Sequence, residues 1–386
     1  MAAPEDNRLR SVSFDVEWVT DRSRFGELGP EWEALLPADA YPFDTHTWHS
    51  AWLDSIGAGM EMAVCTVWRE GRLRGAYPLR RDGPLLRELG DVNSSVVRPL
   101  ATDAEAMAGL LDAVFVASPE GIEVPLPVGD PTVAAVFSRA RRARMYPVGK
   151  EVAEASVVDT TGDVTAWRKG SHGSWKSRLA RYRRKMERDH EAEIDLVVAP
   201  TDLEEWVEDG LQVEAGGWKG REGTAILSDP ATAAFYRDVA RRFHERDQLR
   251  ISRIRLDGDT VAFSFCLLTA GRLWSLKAGY DESWRKLVPG LVLQLSIVER
   301  CFETDVELYE LLGVTSDWKA KIETGSRRWT MVHVYPAGAA GAARGIYHRH
   351  LRPILRDVYR RVRPLDPRAV GPSRISAVQA SHQGNR

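Results

Sequence analysis

The run "LRISRIRLDGDTVAFSFCLLTAGRLWSLKAGY" at 249–280 constrains the fold more than any other stretch of the chain. Strand-like segments are interrupted twice, at Asp257-Gly258 and at Ala270-Gly271. Two-residue breaks ending in Gly suit the hairpin turns whose twist matches that of the strands they join. The run therefore predicts a three-strand antiparallel meander. Helical spacing flanks it on both sides. Upstream, "TDLEEWVEDGLQVEAGG" reads as a helix opened by a Thr201 and Glu204 capping box, and "DPATAAFYRDVARRFHERD" as one capped by Asp229. Downstream, a helix over about 290–302 leads to a strand "VELYELLG" and a last strand "TMVHVYP".

The first half repeats this grammar. "VSFDVEW" reads as a strand, "ELGPEWEALLP" and "THTWHSAWLDSI" as helices, and "MEMAVCTVWREGRLRGAYPL" as two strands turning at Glu70-Gly71. Helices at about 103–117 and 131–143 flank a strand "GIEVPLP". Helices followed by a meander, twice over, predict a mixed α/β chain of duplicated architecture, with its break near 150–156. The expected units are 10–152, 153–336 and a tail at 337–386. At 386 residues and 44% hydrophobic content the chain can bury two modest cores.

No stretch approaches the roughly 20 apolar residues that span a bilayer. The start, "MAAPEDNRLRSVSF", lacks the apolar core of a secretory signal. Cys65, Cys266 and Cys301 are scattered among apolar neighbours, which suits buried thiols in a reducing cytoplasm and not a disulfide frame or a zinc site. Charge is uneven: from 344 to 386 ten arginines stand against Asp357 and Asp366. Such a tail reads as a solvated or anion-seeking appendage. Its "AGAAGAARG" is expected to be a linker, "IYHRHLRPILRDVYRRVR" a helix kinked at Pro353, and the remainder disordered.

The chemistry starts at 277–294, "KAGYDESWRKLVPGLVLQ". A strand ends at Tyr280 and Asp281, a loop carries Arg285 and Lys286, and an apolar helix begins behind Pro289, Gly290 and Leu291. Free amides at a helix N-terminus, with no Cβ at the point of closest approach, make an anion cradle. A Pro-Gly helix start that serves packing alone has the same sequence. The basic helix "SWKSRLARYRRKMERDH" reads either as a solvated face or as a phosphate contact. No Walker loop, Gly-x-Ser-x-Gly elbow, His-Glu-x-x-His or paired Cys-x-x-Cys occurs, and no metal is indicated.

The segment from "LWSLKAGY" to "VERCFE", then "ELYELLGVTSDWKAKI" and "RRWTMVHVYP", resembles the carboxyl-terminal half of FemAB-like and CelD-like acyltransferases, tandem members of the GNAT superfamily. Gly313, Asp317, Trp318, Lys319, Arg327, Arg328 and Trp329 occupy the family's pattern, and "EAGGWKGREGTAI", "PFDTHTWHSAW" and "LGDVNSSVVRPL" look like it too. The loop before the helix departs from the superfamily in supplying one glycine. The resemblance implies two tandem GNAT-like domains, each a mixed sheet flanked by helices, with the second holding the donor. It implies N-acyl transfer from an acyl thioester, on CoA or a carrier protein, to a small-molecule, peptide or saccharide amine. Aminoacyl-tRNA as donor and a non-catalytic binding protein in a biosynthetic complex are the alternatives.

Acyl transfer needs a proton acceptor for the amine and a cation or dipole for the oxyanion. Lys319 suits the second need, unless it pairs with Asp317 or Glu323 at the surface. Glu214, Asp281 and Asp317 are candidates for the first, and Tyr280 for protonating the leaving group. Arg285, Lys286, Pro289, Gly290 and Leu291 are expected to hold the donor. Trp218, Lys219, Arg221, Trp318, Asp91 and Asn93 are expected on the substrate.

Overall fold

The structure, a computed structural model, describes residues 14–118, 120–217, 223 and 225–347. The strands of the first half are β1 (Asp15–Val19), β2 (Glu61–Met62), β3 (Val64–Arg69), β4 (Arg72–Tyr77), β5 (Leu79–Asp82), β6 (Leu85–Glu88), β7 (Leu100–Ala101) and β8 (Ile122–Pro127). There follow β9 (Tyr146–Asp159), β10 (Ala192–Val198), β11 (Leu249–Leu256), β12 (Asp259–Thr269), β13 (Arg272–Tyr280), β14 (Leu308–Glu310) and β15 (Gly325–Tyr335). They form a small sheet, β1-β3-β4-β7, and a large one of eleven strands, β10-β11-β12-β13-β14-β9-β15-β8-β6-β5-β2. Two neighbouring pairs are parallel, β13 with β14 and β6 with β8.

The predicted meander is β11-β12-β13. Both central residues of each expected turn have positive φ: 54° and 70° at Glu70-Gly71, 54° and 92° at Asp257-Gly258, 49° and 70° at Ala270-Gly271. That is the requirement of the type I′ turn. Asp229 caps its helix by accepting from Thr232 N at 3.0 Å. The capping box at Thr201 is corrected: the helix Leu203–Gly216 starts one residue later, and Asp202 accepts from Glu205 N at 3.1 Å. Asp is the stronger N-cap residue.

β9 runs unbroken through 146–159, so residues 152 and 153 lie within one strand at the middle of the large sheet. The largest core is shared by both halves of the chain. Trp48, fully buried, packs edge-on against Phe43, Phe235 and Phe243. Its indole donates to Ser94 Oγ at 2.9 Å. Trp52 and His49 are likewise sealed in this core.

The expected linker is a helix, Ala339–Ile346. Small residues let it lie directly against β9 and β15: a Cβ on Gly345 would fall 3.2 Å from Tyr146 Cβ and 3.6 Å from Tyr335 Cδ2, and one on Gly341 would fall 1.8 Å from the carbonyl of Pro336 just past β15. The Arg-rich helix and disordered end expected beyond it, with their anionic partner, lie outside the described residues from 348 onward.

Candidate active site

β13 and β14 are joined by the helix Pro289–Cys301 and pair in parallel at only three positions, Arg272 with Leu308, Leu273 with Tyr309 and Trp274 with Glu310. Beyond Trp274 the two strands part. Leu312 and Gly313 turn away with φ of 40° and 59°. A cavity of about 640 Å³ fills the gap, lined by β13 from Ser275 to Tyr280, by Leu311 to Gly313 and by the start of the helix. It opens between two strands that part after a short parallel pairing, and its size suits a cofactor-sized molecule.

Three backbone features shape this cavity. In β13, Lys277 pairs with Phe265 and Ser275 with Cys266, which leaves Leu276 as the extra residue of a bulge. Bulges re-aim side chains and often lie beside active sites. At the helix start, Val288 adopts φ 48° and ψ 47°, an unusual conformation for a β-branched residue. Its carbonyl accepts from Leu291 N at 3.0 Å and from Val292 N at 3.1 Å. Pro289 lacks a donor. The Gly290 amide is thus the first-turn N–H without a backbone acceptor among the described residues, a narrower cradle than a set of free amides. A Cβ at Gly290 would stand 3.0 Å from Tyr280 Cδ1, so ring and helix approach as closely as glycine permits.

Seven of the residues expected from sequence line this cavity: Glu214, Tyr280, Arg285, Gly290, Leu291, Trp318 and Lys319. Glu214 is almost wholly buried, and its Oε2 accepts from Ile226 N at 2.8 Å. Gly279 brings the helix carrying Glu214 onto β13, since a Cβ there would lie 2.7 Å from Glu214 Cα. Lys319 Nζ donates to Leu312 O and, at 3.3 Å, to Val314 O, so its ammonium holds the loop that forms one lip. Neither contact is the surface pairing with Asp317 or Glu323 weighed from sequence.

Other expected residues stand apart. Asp281 accepts from Ser283 N at 2.8 Å and caps the 3-10 turn Glu282–Leu287; Arg285 and Lys286 belong to that turn and not to an open loop. Asp317 and Lys286 are exposed and do not line the cavity, and Pro289 is buried at the first helical position. Asp91 and Asn93 approach from beneath. Asn93 donates to Asp91 Oδ2 and accepts from Tyr236 OH, both at 3.0 Å. Burial pushes the Asp91 carboxyl up, against the hydrogen bonds from Asn93 and the pull of Lys277. Trp218, Lys219 and Arg221 lie outside the described residues.

Among the lining residues that escaped the sequence reading are the polar Ser275, Lys277 and Gln294. Lys277 Nζ sits 5.1 Å from the centroid of the Tyr236 ring and carries the influence of Asp91 to the cavity wall. Gln294, 5% exposed, accepts from Tyr309 OH at 2.9 Å and donates to Ser264 Oγ at 3.4 Å. Burial, together with the neighbouring Cys266, drives the Tyr309 hydroxyl well above its ordinary pKa, so it stays a neutral donor. The signal for Gln294 was a lone amide in the apolar run "LVLQLSIV", because a buried amide demands a partner. Among the described residues no group of His, Cys, Asp and Glu is arranged to hold a metal, and no helix is long and apolar enough to cross a membrane.

Among curated proteins no sequence relative matches the chain. A family model, acetyltransferase (GNAT) domain, matches residues 173–320. Among solved structures, the chain is similar to FemX, with TM-score 0.52 and 11% identity over 81% of this chain and 96% of that one. It is similar to the C-terminal domain of a putative lysylphosphatidylglycerol synthetase from Agrobacterium fabrum, with TM-score 0.51 and 14% identity over 83% and 95%. A tandem GNAT protein from the clavulanic acid biosynthesis pathway matches with TM-score 0.45 and 15% identity over 84% and 99%. Residues 173–320 thus match the GNAT domain model, and the chain as a whole shares its fold with FemX.

Proposed function

We propose that this protein is an N-acyltransferase that moves an acyl group from a thioester, on CoA or on a carrier protein, to an amine. The observation that carries the reading is the gap between β13 and β14, which joins the Gly290 amide, the bulge at Leu276, Glu214 and Lys319 in one cavity. The donor's anionic end lies against the Gly290 amide and the positive end of the helix dipole, with Arg285 beside it. Lying between the lips of the gap, the thioester is attacked by the amine. Glu214, oriented by the Ile226 amide, accepts the amine proton. Lys319 supplies positive potential for the oxyanion, and the departing thiolate takes its proton from solvent between the lips of the gap, since Tyr280 packs against Gly290 at the donor's anionic end. Lys277, with Asp91 and Asn93 behind it, positions the amine from the first half of the chain. On this reading 10–152 and 153–336 are the two GNAT-like units, the second holds the donor, and three buried free thiols fit a cytoplasmic setting.

Aminoacyl-tRNA is the second reading. The observation favouring it is the helix Gly173–Asp189, where Arg178, Arg181, Arg184 and Lys185 are all exposed. Thermal shift with acetyl-CoA, a long-chain acyl-CoA and a charged tRNA separates the two. A ligand at 100 times its Kd stabilises the fold by about 2.7 kcal/mol. A shift with a CoA thioester and none with tRNA supports the first reading; a tRNA shift that fades steeply with salt replaces it with the second.

A further inference from the structure

The end of the cavity where the strands begin to part carries two uncharged polar side chains among apolar ones. Ser275 stands one residue beyond the last β13–β14 pair, where the strands begin to part. Gln294 lines the same cavity, with Tyr309 OH on its Oε1 and Ser264 Oγ at the long distance of 3.4 Å from its Nε2. The second Nε2 hydrogen has no acceptor among the described residues. Around these groups stand Phe263, Leu276, Leu291 and Leu311. From Tyr280 at the mouth to Ser275 is five strand residues, or about 16 Å. A donor gripped at Gly290 by its anionic end and lying along β13 therefore delivers its acyl group to the polar end.

We infer that the acyl group carries a hydrogen-bonding substituent near its carbonyl, a hydroxyl, oxo or amino group, and that Gln294 and Ser275 select it. The inference rests on the thioester reading above. A plain alkyl chain pushed into this end strips water from the Gln294 amide and gives it nothing in return, and a buried amide hydrogen left without an acceptor is costly. A hydroxyl accepts from that hydrogen and donates to Ser275. Sites built to pair a substrate hydroxyl reject the analogue that lacks it far better than an apolar pocket rejects an added one.

The test compares matched pairs by calorimetric binding: 3-hydroxybutyryl-CoA against butyryl-CoA, and lactoyl-CoA against propionyl-CoA. Wild type is expected to bind the hydroxylated member of at least one pair about tenfold or more tightly. Gln294→Met, which keeps volume, and Ser275→Ala, which removes a hydroxyl that also bonds to Tyr309 and Cys266 but leaves Tyr309 its bond to Gln294, are expected to bring the ratio within twofold. Equal affinity within both pairs overturns the inference and leaves the thioester reading standing, as does a preference that survives in both variants. Failure of every CoA thioester to bind folded wild type overturns the inference together with the CoA form of the reading.

Discussion

One methyl group at Gly279 tests the packing that sets the cavity. In Gly279→Ala the new Cβ would lie 2.7 Å from Glu214 Cα, 3.0 Å from its Cβ and 3.1 Å from its backbone nitrogen. Carbon atoms rest at about 3.5–4.0 Å, so the helix Leu203–Gly216 has to back away from β13 by about 1 Å. Backbone atoms cannot rotate out of the way. Overpacking of this kind costs about 1–3 kcal/mol, and Ala in a strand returns about 0.5–1 kcal/mol over Gly; contact with backbone atoms puts the cost at the upper end, for a net loss of about 2 kcal/mol. Glu214 moves with its helix, and in the proton-accepting role proposed for it a misplacement of about 1 Å costs on the order of 100-fold in rate. Urea denaturation gives the first number. Gly162→Ala is the control, because nothing lies within 4 Å of a Cβ there. If Gly279→Ala unfolds at the same urea concentration as wild type and the control, helix and strand are not held at glycine distance, and the placement of Glu214 against the cavity fails.

Other outcomes follow from single contacts. Asp44→Ala leaves Arg98 without its fully buried partner and is expected to cost about 3–5 kcal/mol in urea denaturation, whereas Asp44→Leu with Arg98→Met recovers most of the loss. Lys319→Ala removes the donor to Leu312 O and Val314 O; hydrogen exchange at 312–315 should quicken, and stability should drop by about 1–3 kcal/mol. Burial pushes the Glu88 carboxyl up to about 7 from an ordinary 4.5. Its folded pKa is the raised one, so its contribution is fully present below the ordinary value and is lost as pH rises through about 7. Wild type should therefore lose more stability between about pH 5 and 8 than Glu88→Gln, and equal losses would contradict the assignment.

Local chemistry made the meander legible. Asp257-Gly258 and Ala270-Gly271 have few conformations open to them between strands, and the structure uses the one that keeps the strands paired. The helix behind Pro289 was equally plain, since proline fixes its first residue. The sequence reading failed where a partner distant in the chain decides. "AGAAGAARG" has the composition of a linker, yet its glycines let a helix press onto β9 and β15. Lys319 was expected to pair at the surface or face a ligand, and no local pattern shows that Leu312 takes a left-handed turn that presents its carbonyl to the ammonium. Gln294 and Lys277 are quiet for the same reason: their surroundings come from β12, β14 and the loop around Asp91.

The course of β9 limits how this protein can be taken apart. A cut between residues 152 and 153 severs a strand that has neighbours on both sides, β14 and β15, and parts β15 from β8 as well. Each fragment would present a row of unsatisfied peptide groups to solvent, the template on which chains stack and precipitate. The halves are therefore expected to be insoluble when expressed alone and to recover only on co-expression. By the same continuity, the main chain passes from 152 to 153 as paired strand, with no loop there about which one half could swing against the other.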